Sequence, residues 1–252
     1  MCAMPTVGEG GAVNATGLIS SSSAVVAQDL RYLRDGVPPL DGVDLTVAPG
    51  ERVAIVDPDG LEAPTALLQI ISGLTIPQAG WVHWGGRDLL GLRDSARSML
   101  RRRDVGIALD SSGLLPELPV LENIALPLML DGLGHRAAVG RAADLLDDIG
   151  LTGKGARRLK ELDCTGRMLV VLGRALVIEP ALVVARDATS QSDGASPEAI
   201  DVLLQGCSRV GAALLLATDS REVAARCDRT LRLVDGRLGS RHDLCDAREA
   251  LL

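Results

Sequence analysis

Between Glu51 and Leu74 the chain reads ERVAIVDPDGLEAPTALLQIISGL, and this stretch constrains the architecture more than any other. Val53, Ala54, Ile55 and Val56 form an unbroken apolar run, the pattern of a strand buried on both faces within a parallel sheet. A turn-rich segment follows, and Ala66, Leu67, Leu68, Ile70 and Ile71 then give a largely apolar helix. Pro64 suits the first turn of that helix, where no backbone N–H is required. Strand, loop and helix in this order predict an α/β domain, around which the remaining segments can be placed.

The second half of the chain repeats the alternation. Apolar strands are expected at 181–185, 213–217 and 230–234, separated by helices near 167–178 and 197–208, which predicts a mainly parallel sheet covered on both faces. Upstream, residues 25–47 read as short strands with a turn at Arg34–Asp35–Gly36, and WVHWG at 81–85 as another, forming an antiparallel β edge. A helix over 93–102, a strand over 105–109, a proline-containing loop, an apolar helix around VLENIALPLML and an amphipathic helix over 136–149 predict an inserted helical subdomain, about 93–178. Residues 1–24 are rich in Gly, Ser, Ala and Thr without periodicity and are expected to be a disordered leader; 25–240 form the domain and 241–252 a tail.

Composition excludes several classes of function. A formal net charge of -7 argues against a broad nucleic-acid-binding face, and no apolar run approaches the ~20 residues needed to span a bilayer. Any membrane association is therefore expected to go through a partner. The five cysteines are scattered without metal-ligand spacing and read as reduced thiols of a cytoplasmic protein. With two Trp, one Tyr and no Phe, the core must be aliphatic.

The framing segments carry a resemblance. LDGVDLTVAPGERVAIV before the loop, LLQIISGLTIPQAGWVHWGGRDL after it, and LGRALVIEPALVVA and DRTLRLVDGRL later resemble the nucleotide-binding subunit of ATP-binding cassette (ABC) transporters, across roughly Val25 to Leu238. SSGLLPELPVLENIALPLML is most similar to the group serving lipoprotein release and macrolide-type export. The resemblance implies a P-loop NTPase fold, in which a glycine-rich loop, a lysine and a hydroxyl hold phosphate and magnesium.

The family's phosphate loop, G-x-x-G-x-G-K-[ST]-[ST], falls on Asp57 to Thr65. Gly60 and Thr65 match; Asp57 and Glu62 replace glycines, Ala63 the lysine and Pro64 the first hydroxyl residue. Asp59 adds another carboxylate. At an effective dielectric near 20 and roughly 5 Å, each carboxylate repels a phosphate charge by on the order of 3 kcal/mol before screening. At the family's Asp–Glu pair the chain has Arg186 and Asp187, the glutamine after the VGI strand is Asp110, and the histidine after ALLLAT is Asp219. The signature loop reads Leu162, Asp163, Cys164, Thr165, Gly166, and the adenine-stacking aromatic aligns with Leu33, with Tyr32 beside it.

These departures predict a catalytically inactive cassette, a pseudoenzyme with degenerate Walker motifs. It would neither bind nor hydrolyse ATP, would need no cofactor, and would lack catalytic residues. It would dock to a membrane permease from the cytoplasmic side, and the altered signature loop makes ATP-dependent homodimerisation doubtful. Two alternatives stand beside this: an ATP-binding and ATP-hydrolysing exporter subunit with residual activity, and a divalent-cation binder using Asp57, Asp59, Glu62, Asp110, Asp187 and Asp219 without nucleotide.

Overall fold

Among the described residues, ten strands and seven helices follow the predicted alternation. They are seen in a computed structural model that describes residues 23–34, 37–58, 60–111, 113–187 and 197–240. In chain order they are β1 (Val25–Arg34), β2 (Val37–Val47), β3 (Arg52–Val56), α1 (Glu62–Ile71), β4 (Ala79–Trp84), β5 (Arg87–Asp88), α2 (Asp94–Asp104), β6 (Val105–Ala108), α3 (Val120–Leu130) and α4 (His135–Leu146). After a 3-10 turn at Leu159–Glu161 come α5 (Cys164–Leu176), β7 (Leu182–Arg186), α6 (Pro197–Val210), β8 (Ala213–Ala217), α7 (Arg221–Ala224), β9 (Arg229–Val234) and β10 (Arg237–Ser240). The expected leader and tail, and the turn residues Asp35 and Gly36, lie largely outside the described residues.

The strands form two sheets. One has the order β10-β9-β3-β8-β7-β6, parallel except where β10 returns against β9; the other, β2-β1-β4-β5, is antiparallel. The fold is thus the P-loop NTPase cassette, α/β with an antiparallel edge sheet and a helical layer.

Period-two alternation divides the core. On β7, Leu182 and Val184 face one cluster while Val183 and Ala185 face the other. On β8, Ala213, Leu215 and Ala217 share the first face and Leu214 and Leu216 the second. The first face is covered by α1 and the antiparallel sheet, with Leu67, Leu68, Ile70 and Ile71 of α1 fully buried. The second is covered by α3 to α6. Burying each such Leu or Ile side chain is worth about 1.5–3 kcal/mol, which is how an aliphatic core compensates for the absence of phenylalanine.

Two close contacts fix the layers. A Cβ on Gly106 would lie 2.5 Å from the Ala175 carbonyl oxygen, so glycine allows β6 and α5 to approach at that level. Trp84, 7% exposed, donates its indole N–H to the Ile71 carbonyl oxygen at 2.9 Å and ties β4 to the end of α1. Among the described residues no helix is long and apolar enough to cross a membrane.

Candidate functional site

The parallel strands β3, β8, β7 and β6 end at Val56, Ala217, Arg186 and Ala108, so the residues that follow them emerge along one edge of the sheet. Ligands of open α/β sheets bind at this edge, outside the carboxyl ends of the strands. Asp57, Arg186, Asp187, Asp219 and Asp110 are brought there together, and α1 starts beside them at Glu62. Asp163 and Cys164 are placed elsewhere, at the start of α5 in the helical layer.

The loop after β3 closes through a Gly60 N–H donated to the Asp57 carbonyl oxygen at 3.3 Å, with Gly60 at φ 134°, a conformation suited to glycine. Asp59 lies outside the described residues. Glu62 is exposed and its carboxylate lies 3.9 Å from the Arg34 guanidinium. Ala63 packs partly against the core and Pro64 is buried. The Thr65 hydroxyl and its N–H, the latter at 3.0 Å, both go back to the Leu61 carbonyl oxygen. Thr65 therefore matches the family pattern in sequence while its hydroxyl is committed to its own helix. The opening turn of α1 has N–H groups without intrahelical partners, and its dipole favours an anion there.

On the adjoining strands, Asp187 is 1% exposed and accepts a hydrogen bond from the Thr218 hydroxyl at 2.8 Å. The Asp187 N–H donates to the Ala217 carbonyl oxygen at 2.8 Å. The Thr218 oxygen in turn accepts from the Ser220 N–H at 3.1 Å, so Thr218 orients the carboxylate. Sequence reasoning missed Thr218, whose only signal was a hydroxyl directly after a fully apolar strand. Arg186 pairs with Ala217, and its Nε is buried with no hydrogen-bond partner among the described residues. Asp219 is exposed.

Beyond β6, Asp110 is exposed and lies near Arg174. Burial lowers the Arg174 pKa, and the Asp110 charge partly offsets that effect. The loop that follows is held by Asn123, fully buried in α3. Its side-chain oxygen accepts from the Leu115 N–H at 2.8 Å, and its amide donates to the carbonyl oxygens of Leu115, Leu118 and Pro119 at 2.9, 3.1 and 3.2 Å. Asn123 was also missed, because its partners belong to a loop that periodicity does not describe.

At α5, Asp163 caps the helix by accepting the Gly166 N–H at 2.7 Å, while Arg167 donates to the Leu162 carbonyl oxygen at 2.8 Å and to Cys164 Sγ at 3.1 Å. Leu33 is 52% exposed, whereas Tyr32 packs partly into the core.

A magnesium ion does not fit this donor set. The ion takes oxygen ligands in near-ideal octahedral geometry. Here a guanidinium stands at the strand end, Pro64 has no hydroxyl, the Thr65 hydroxyl is bonded to Leu61, and one Asp187 oxygen already takes Thr218. Among the described residues no three His, Cys, Asp or Glu side chains are grouped so as to hold a metal. The cation-binding alternative has no support from this arrangement.

Residues 40–190, more than half of the chain, match the sequence profile of the ABC transporter family. The chain belongs to that family. The cassette is 42% identical over 203 residues to the lipoprotein-releasing system ATP-binding protein LolD of Ruegeria sp. (strain TM1040), covering 80% of this chain and 89% of that protein. It is 37% identical over 202 residues to the LolD protein of Xanthomonas campestris pv. campestris (strain 8004), covering 80% of this chain and 84% of that one. Among solved structures, the dimeric cassette MJ0796 in a post-hydrolysis state bound to ADP and Pi superposes with a TM-score of 0.77. It is 23% identical and covers 85% of this chain and 96% of that one, a likeness of fold.

These relatives overturn the expectation of an inactive, non-catalytic pseudoenzyme with degenerate motifs. Proteins alike over four-fifths of the chain are named ATP-binding proteins. The doubt about homodimerisation likewise finds no support among solved cassettes described as dimeric. The physical reason is that the sequence reading counted each altered side chain as a separate loss. It took Glu62 as a bare charge although Arg34 faces it. It also gave no weight to the backbone N–H groups of the α1 start. Those other than Pro64, which has none, remain available to an anion whatever their side chains.

Proposed function

We propose that this cassette is the ATP-binding subunit of a membrane exporter of the lipoprotein-releasing kind. It binds ATP at the β3–α1 turn and hydrolyses it with low residual turnover. The observation that carries the reading is the 42% identity to an ATP-binding protein over 89% of that protein's length. The strand-end geometry supports it, since the start of α1 offers an anion site at the edge where α/β sheets take ligands.

Within this reading the replaced positions Asp57, Asp59, Glu62, Ala63 and Pro64 weaken phosphate binding without abolishing it. Asp187, held by Thr218, is the carboxylate left at the family's hydrolytic station. A permease docks on the cytoplasmic side against the loop at 114–119, where Leu115 is 40% exposed and Asn123 fixes the backbone. Calorimetric titration of ATP into the purified chain, with phosphate release followed in parallel, tests the reading. Saturable binding with slow release is expected; no saturation at millimolar ATP, with or without magnesium, overturns it.

A further inference from the structure

Resting on the reading of this cassette as an ATP-binding subunit, we infer that Arg186 is the counter-cation of the nucleotide phosphates in place of magnesium. ATP is then bound without a divalent metal. Arg186 ends β7 on the same face as Leu182 and Val184, which is the face that α1 covers. Across the sheet it lies in a row with Ala217 of β8 and Ile55 of β3, since Ala217 pairs with both. Two strand spacings are roughly 10 Å, and only the methyl group of Ala217 stands between Arg186 and the strand that enters the phosphate turn. A guanidinium can extend along that row toward the start of α1.

A guanidinium is always protonated, has five N–H donors and no acceptor, and matches a phosphate with two parallel hydrogen bonds. The Arg186 Nε is buried with no hydrogen-bond partner among the described residues, so a donor in this row is open to an acceptor. A magnesium ion beside it would meet a like charge and too few oxygens, because the Thr65 hydroxyl and one Asp187 oxygen are already bonded. Arginine and the metal are therefore alternatives at this station, and this chain holds the arginine.

The test compares ATP binding by the full chain in EDTA and in magnesium chloride. Affinities within about threefold of each other are expected for the unaltered chain, a comparison that needs no variant. In EDTA, R186Q should weaken binding by at least about tenfold, equivalent to about 1.4 kcal/mol, while R186K keeps most of it. R186D should bind only when magnesium is present. Inorganic tripolyphosphate should displace ATP from the unaltered chain in EDTA, identifying phosphate as the group recognised. Binding that requires magnesium, an unchanged R186Q, or no displacement by tripolyphosphate would overturn the inference and leave ATP binding standing. Absence of binding in both buffers removes the functional reading itself.

Discussion

Ala63 and Pro64 occupy the two positions at which a phosphate loop gains most from side chains. Ala63 is only partly buried and has room for a longer side chain, whereas Pro64 is buried and its replacement gives up some packing. The double change Ala63→Lys and Pro64→Ser adds a cation and a hydroxyl at that cost. It should tighten ATP binding by about tenfold or more, since each charged hydrogen bond is worth roughly 1.5–3 kcal/mol before losses. Calorimetry checks this, and an unchanged affinity would mean that the phosphates do not lie over α1. Asn123 acts at the same scale for the neighbouring loop. Replacing it with leucine removes the acceptor of the Leu115 N–H and the amide donor to the Leu118 carbonyl oxygen, while the Leu115 and Pro119 carbonyl oxygens keep the backbone N–H groups of Leu118 and residue 123. The change should cost about 2 kcal/mol in urea unfolding.

At the level of elements, the framing segments were legible because burial on two faces leaves an unbroken apolar run. β3, β8 and α3 appear where VAIV, ALLLA and VLENIALPLML predict them. β5, two residues long, and β10, four, are too short to show a period. α5 begins three residues earlier than expected because Cys164, Thr165 and Gly166 are poor helix formers, and the signal lies in the Asp163 cap instead. The Asp163→Ala variant should lose about 1 kcal/mol of stability in a denaturant titration. The candidate site was legible as a set of strand ends, but its Arg34–Glu62 and Asp187–Thr218 contacts were not. Each joins segments far apart in the chain, and sequence periodicity carries only local information.

For the molecule as a whole, ion pairs tie β3 to its parallel neighbour β9, Arg229 with Glu51 and Arg52 with Asp228. Asp228, just before β9, accepts from the Arg52 backbone N–H at 2.8 Å and from its guanidinium at 2.8 Å. These hydrogen bonds hold the Asp228 carboxyl below its ordinary range. A depressed folded-state pKa means stability that is present above the unfolded value, about 4, and is lost as the pH falls through the lower folded value. Unfolding curves of the unaltered chain and Asp228→Asn should therefore differ at pH 7 and converge toward pH 3; a constant gap would contradict this. On the helical side, burial pushes the Cys207 thiol up to about 12 and Cys227 up to about 11, so neither is a thiolate near neutrality. A thiol reagent at pH 8 should modify Cys207 only on unfolding, as followed by mass spectrometry.

The indole of Trp84 turns the fold into an optical instrument. The chain has two tryptophans, and this one is fixed by its N–H to the carbonyl end of the helix whose opposite end faces the proposed nucleotide. Any tilt of α1 stretches or releases that single bond and changes the polarity around one buried ring. The emission of an unlabelled sample should then report what happens at the other end of the helix.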